Sequence, residues 1–412
     1  MSSHHRVRFT VAGLVLALVA CDPNQSGNLA AVTFGDQSHP AARGSPLDEI
    51  RDACGTGGLT TAGAVIHRLP YLQRVTATSA MLGWVSVAPD HERVDVTTIE
   101  GAPVMTAMAE IEGGTERSAS ESQMWATVVG LAPDTIYCYT LSDGSPLSER
   151  TGFRTAPDAT STKPVRFLAF ADSGAGNNDQ RALRDQMFEV PYELLVHAGD
   201  VAYESGTLDE LENNVFAVYA ELFANLPFFP TFGNHDYVTR HGAPFREVFA
   251  LPGEAQGSSY SFDWGAIHFV AFDSEVDYGT QAAWLDLDLA STRLPWKIVY
   301  THRSVYSSGA HPSNLALRAL VAPIFEKHHV QLVLSGHDHN YQRMIPQNGV
   351  AYVVTGGGGR GTYDVSSASF TAFSTEVIEF VYVEVGADEL VLHAIDATGV
   401  EFDSMVVPRV QP

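Results

Sequence analysis

Val330–His339, VQLVLSGHDH, is an apolar run that stops on two histidines straddling an aspartate. The aliphatic residues before Ser-Gly read as a short apolar strand. If the segment stays extended, His337 and His339 lie two apart and present their side chains on one face. Such a pair is either a polar turn at a strand end or half of a metal site, and the rest of the chain has to decide between them.

The same grammar recurs upstream. VRFLAFAD (Val165–Asp172), YELLVHAGD (Tyr192–Asp200), the run from Phe228 to His235 (FFPTFGNH) and WKIVYTH (Trp296–His302) are apolar runs that also stop on a carboxylate, an amide or an imidazole. Between them lie helical patterns over 178–190 and 208–225, and in AAWLDLDLA and NLALRALVAPIFEKHH. SYSFDWGAIHFVAFDS (Ser259–Ser274) predicts a hairpin with Trp264-Gly265 at its turn, and the tail predicts antiparallel strands that close a sheet. Strands alternating with helices specify an α/β layered domain, placed at 163–410. Ligands of such sheets bind outside the carboxyl ends of the strands. A lone strand-end Asp is usually a cap and a lone His a satisfied polar group; five strand ends together point to one site.

The residues at those ends are Asp172, Asp200, Tyr203, Asn234, His302, His337 and His339. Mixed carboxylate, imidazole, amide and phenol donors without a thiolate suit Fe, Mn or Zn. Seven donors exceed what one ion takes and suit two ions sharing a carboxylate, an arrangement fitted to displacement at phosphorus. Composition agrees. The net charge of −24 over 412 residues excludes nucleic-acid or anionic-membrane binding through a general field, so an anionic substrate needs locally supplied positive charge.

ADSG, GDVAY, GNHD, VYTH and GHDH, in this order, resemble the five blocks of the purple acid phosphatases within the calcineurin-like metallophosphoesterases. The resemblance implies a four-layer sandwich of two sheets flanked by helices. It also implies Fe(III) held by Asp172, Asp200, Tyr203 and His339, and a divalent ion (Fe, Zn or Mn) held by Asn234, His302 and His337, with Asp200 bridging. His235 and His311 resemble the family's outer histidines, which bind phosphate or protonate the leaving group. The implied reaction is hydrolysis of small-molecule phosphate monoesters by in-line attack of a metal-bound hydroxide. The alternatives are a phosphodiesterase on the same site or an inactive envelope binding or adhesion protein. Ala171 replaces the first glycine of the first block without removing a donor. Asp338 reads as structural. Arg303, Arg343 and Arg360 could reach phosphate oxygens but read first as surface or core-edge ion pairs. Gly356–Gly359 lacks the Lys-Ser/Thr of a phosphate loop and reads as close backbone packing near the metals.

The amino-terminal half is different. Residues 63–157 alternate in short runs with frequent turns, as an all-β sandwich does. GLAPDTIYCYTL resembles the end of a fibronectin type III domain, where a tyrosine corner turns Tyr137 and Tyr139 inward and Cys138 outward. That orientation leaves Cys138 free to meet Cys54, although two free thiols would read the same way. Residues 21–62 read as a tether and an irregular approach. At the start, HHRVR and a 12-residue apolar stretch, too short to span a bilayer, precede LVAC (Leu18–Cys21). This resembles a bacterial lipoprotein signal, with residues 1–20 removed and Cys21 acylated. It implies a lipid-anchored protein of the bacterial cell envelope, on its periplasmic or extracellular face.

Overall fold

The computed structural model describes residues 39–112, 117, 120–253 and 258–409; the signal segment and Cys21 lie outside them. Each apolar strand of the α/β part serves two layers, which explains why these runs are continuous rather than alternating. In Val165–Phe170, Phe167 and Ala169 face a core between two sheets, while Leu168 and Phe170 face helices. In Ile267–Phe272 and Trp296–Thr301, Phe269, Ala271, Ile298 and Tyr300 face inward, whereas Val270, Phe272 and Val299 face the other helical layer. The result is helix, sheet, sheet, helix.

The first sheet has the order Phe228–Pro230, Leu194–His197, Val165–Phe170, Glu379–Val385, Glu389–Asp396, Glu401–Pro408. Its first three strands are parallel and the tail closes it antiparallel, as the sequence implied. Strands Ile267–Phe272, Trp296–Thr301, Leu332–Ser335 and Ala351–Thr355 run parallel through the second sheet. The hairpin pairs Trp264 with Ile267, so its turn falls on Gly265-Ala266, one residue later than predicted. The helical run over 208–223 is one continuous stretch with a π segment, Leu211–Phe216, in the middle.

Before this domain, two four-stranded antiparallel sheets, drawn from Ile66 to Arg154, share one core through Leu82, Trp84, Val94, Val96, Tyr139 and Leu141. The Ala132 amide donates to the Tyr137 hydroxyl at 2.9 Å, closing the turn over Pro133. The reading of 21–62 as irregular missed a helix, Pro46–Cys54, which starts on Ser45 as N-cap with Pro at its first turn. Its apolar residues, Leu47 and Ile50, join the core beside Tyr71, Trp125 and Phe188. The face is carried by Leu47, Ile50 and Cys54, a helical spacing but spread over only nine residues. Cys54 at its end is disulfide-bonded to Cys138. Among the described residues no helix is long and apolar enough to cross a membrane.

Two predictions follow from these contacts. Replacing Cys54 and Cys138 together by Ser removes a link across 84 residues. It is expected to cost about 2–4 kcal/mol in denaturant unfolding while leaving the distant strand-end cluster intact. The second concerns His268, whose Nδ1 lies 2.7 Å from Asp263 Oδ1 and whose Nε2 lies 2.9 Å from Asp288 Oδ2. Burial alone would lower its pKa, but the two carboxylates override this and push it up to about 9. A raised histidine stabilises fully below its unfolded value, about 6.5, and the contribution fades as pH rises through the folded value. The melting-temperature gap between wild type and His268→Asn should therefore be widest near pH 6 and shrink by pH 10. A gap that stays constant with pH would rule the imidazolium out.

Candidate metal centre

Three of the five strand ends leave the extended region abruptly. Asp172, Asp200 and His337 all have left-handed backbone conformations, with φ of 58°, 54° and 70°. Non-glycine residues adopt this at a cost, and such strain clusters at functional sites. The close approach also dictates glycine next door. A Cβ on Gly233 would stand 2.2 Å from Asp200 Oδ1, and one on Gly336 would stand 2.4 Å from Asp172 Oδ2.

His337 and His339 therefore do not share a face of an extended segment. The strand ends at Ser335 and residues 337–340 form a bend. The bend still delivers both rings to the same place, because the His337 amide is anchored on Asp172 Oδ2 at 2.8 Å. Asp338, between them, is buried and accepts from Ser307 at 2.6 Å and Gln342 at 3.1 Å, the structural role its position implied.

Asp172 and Asp200 are each oriented by a backbone amide. Asp172 is held by that of His337, and Asp200 Oδ1 accepts from the amide of His235 at 2.8 Å. Their remaining oxygens share one hydroxyl donor. The Tyr203 hydroxyl lies 2.9 Å from Asp172 Oδ1, 2.9 Å from Asp200 Oδ2 and 3.1 Å from His339 Nε2. One hydroxyl proton serves only one of these three. On the other side, His302 donates Nδ1–H to the Ala198 carbonyl at 3.0 Å, which leaves Nε2 facing Asn234 Oδ1 at 3.2 Å and Asp200 Oδ2 at 3.4 Å. Asp172, Asp200 and His302 bring donor atoms within 4.8 Å of one another, a grouping able to hold a metal ion. His337 joins by its ring, 4.9 Å from that of His302.

The carboxylates draw positive charge into this cluster. Burial would lower the His302 pKa, but the Asp200 carboxylate pushes it up to about 10. Tyr203 is driven well above its ordinary value by burial and then by the two carboxylates. His337, desolvated and next to His302 and Arg303, is pushed down to about 2 and stays neutral. Crowded lone pairs on hard and borderline donors, buried with too few protons, fit cations.

The two outer histidines flank this cluster. His235 donates Nδ1–H to the Glu204 carbonyl at 2.6 Å, leaving Nε2 4.0 Å from Asp200 Oδ2, and its ring lies 4.5 Å from that of Tyr203. His311 lies 4.3 Å from the His337 ring and 5.4 Å from that of Tyr363. All nine residues singled out in the sequence thus gather in one place. Two residues escaped notice. Tyr363 stacks on His339 at 4.1 Å. Asp236 accepts from the amides of Val201, Ala202 and Gly233, tying two strand-end loops together. Asp236 was visible as the last residue of GNHD, whereas nothing around Tyr363 marks it.

Residues 165–341 match the family model for calcineurin-like phosphoesterase. The chain is 30% identical to human acid phosphatase type 7 over 252 residues, covering 53% of this chain and 56% of that protein. It is 27% identical to purple acid phosphatase 23 of Arabidopsis thaliana over 280 residues, covering 56% and 61%. It thus spans little more than half the length of these relatives. The fold is also that of purple acid phosphatase PPD1 from yellow lupin seeds, with a TM-score of 0.74 and 20% identity, over 82% of this chain and 74% of that one.

Because Asp200 Oδ2 faces both halves of the cluster, Asp200→Asn is the substitution expected to abolish divalent-metal binding in a calorimetric titration. Asn234→Ala touches one half only and should weaken that binding without eliminating it. Equal binding by Asp200→Asn and wild type would remove the cluster as a metal centre.

Proposed function

We propose that this protein is a dinuclear-metal phosphoesterase acting on small phosphate monoesters, like the purple acid phosphatases it resembles. One observation carries the reading: Asp200 Oδ2 stands between Tyr203, which also meets Asp172 and His339, and His302, which also meets Asn234. Asp172, Asp200, Tyr203 and His339 would hold a ferric ion, and Asp200, Asn234, His302 and His337 a divalent one. Such a pair supplies Lewis acidity for activating water and for stabilising charge on phosphoryl oxygens.

The chain's own residues do the rest. Asp200 and Asp172 are presented by backbone amides, so neither carboxylate has to reorganise when charge develops. His235, fixed through Nδ1 on the Glu204 carbonyl, has Nε2 available to carry the proton that a departing alcohol needs. His311, packed against His337 and Tyr363, stands where it can assist on the other flank. The amino-terminal sandwich, with its Tyr137 corner, is read as fibronectin type III-like. The lipid anchor on Cys21 and the envelope location rest on LVAC alone.

The deciding experiment is metal analysis of purified protein combined with turnover of an aryl phosphate and a bis-aryl phosphate. The reading expects two metals per chain and preference for the monoester; preference for the diester would replace it with a phosphodiesterase. His235→Ala should keep its metal and lose turnover by about 10²–10⁴. Iron-loaded, oxidised protein should absorb in the visible through a Tyr203 phenolate, and Tyr203→Phe should lose that band while retaining two metals. Colour unaffected by Tyr203→Phe would take the tyrosine out of the site.

A further inference from the structure

Arg303, directly after His302, is a guanidinium set against the candidate metal cluster. Its backbone amide is fixed on Ser274 Oγ at 2.8 Å. Glu275 Oε2 takes both Nε, at 3.0 Å, and Nη2, at 2.7 Å. Glu275 is itself set: its side chain is 7% exposed, its amide donates to Asp273 Oδ1 at 2.9 Å, and its Oε1 accepts from Ser274 at 3.2 Å. The clamp uses one edge of the guanidinium and leaves Nη1 aimed the other way, 3.3 Å from His337 Nε2. The Arg303 side chain remains 30% exposed.

This is more than an ion pair. Seen from a distance, Glu275 cancels the charge of Arg303, so the pair adds little field. What it adds is a donor of fixed direction, since a planar fork held on one edge cannot swing. That donor now faces the lone pair of His337. On the proposed function, a cation takes that lone pair, and the Nη1 hydrogens are left at the inner edge of the site without an acceptor. A phosphoryl oxygen is the acceptor the reaction provides.

We propose that Arg303 binds a terminal phosphoryl oxygen and sets preference for monoesters over diesters; this rests on the phosphoesterase reading above. A monoester dianion presents three terminal oxygens. A diester presents two and puts a second organic group, which accepts poorly, in place of the third. A clamped donor at that third position rewards the monoester and is left unpaired by the diester.

The test uses the full-length, metal-loaded protein and Arg303→Gln, Arg303→Lys and Glu275→Gln. Calorimetry with inorganic phosphate reads binding without turnover, and kcat/KM on an aryl phosphate and a bis-aryl phosphate reads selectivity. Arg303→Gln should keep its metal content and weaken phosphate binding by roughly 10- to 100-fold. It should lower kcat/KM for the monoester by a similar factor, mainly through KM, and change the diester by less than about 3-fold. Arg303→Lys, which keeps the charge without the fork, should fall between. Glu275→Gln should weaken phosphate although Arg303 is intact, and it carries the test if melting curves show Arg303→Gln unfolded. Unchanged phosphate affinity in the folded variants, or equal losses on both esters, overturns the proposal. Wild type that binds phosphate but turns over neither ester overturns the phosphoesterase reading instead, and phosphate binding by the variants then decides the role of Arg303 alone.

Discussion

A buried carboxylate oxygen, Asp200 Oδ2, faces a phenol, an imidazole nitrogen and the lone pairs beyond them, with no amide donor of its own. Taking such a group out of water costs several kcal/mol unless positive charge meets it. Protons meet it only in part. They are drawn onto His302, against the effect of its burial, and kept on Tyr203. The strand-end loops are built to hold this unfavourable arrangement together. Backbone amides orient the carboxylates, the Ala198 carbonyl fixes the tautomer of His302, and Asp236 ties the two loops on either side of Asp200. A cluster so rigid and so short of protons is pre-formed for cations.

The support extends well beyond the strand ends. Tyr203 begins a loop whose amides at Ser205 and Thr207 donate to Glu210, which with Thr207 forms a capping box at the start of the helical run. Two residues on, Glu212 accepts from Arg68 of the β-sandwich at 2.9 Å and from Arg117 at 2.8 Å. Tyr71 donates to the Val248 carbonyl at 2.5 Å, and Asn225 donates to Thr151 and the Gly152 carbonyl at 2.7 Å. The sandwich is therefore part of the foundation under the Tyr203 loop. The disulfide fastens helix Pro46–Cys54 to the same block.

The layers and the clustering of the strand-end residues were legible because burial on both faces of a parallel strand writes an uninterrupted apolar run, and each run ends on a polar residue at the carboxyl edge of its sheet. Local conformation was harder to read. Whether His337 and His339 share a face depends on one positive φ at His337, which a tertiary contact to Asp172 enforces and no neighbouring residue announces. Helix Pro46–Cys54 buries Leu47 and Ile50 against residues far along the chain, so its amphipathicity is short and its stability is tertiary. Arg303 was legible as an ion pair, which it is with Glu275. The direction of its free edge exists only in three dimensions.

Three left-handed residues at about 1–3 kcal/mol each, together with buried carboxylates, make the strand ends the least favourable part of the domain taken alone. They are tolerable because what lies under them is not local. Phe167, Ala169, Leu194 and Val196 of one sheet pack on Phe269, Ile298, Tyr300 and Leu332 of the other, and helices cover both outer faces. Such a core fixes where each strand stops, so the loops cannot relax by sliding. The glycines beside the cluster show the same economy of space: Gly356 would place a Cβ 2.2 Å from the Asp338 carbonyl oxygen, and Gly358 would place one 2.1 Å from that of Ala171. Backbone packed this closely beneath Asp172 leaves the carboxylate only one direction, toward the other donors. The tightness that makes the cluster costly in the folded chain is what holds its donors facing one another.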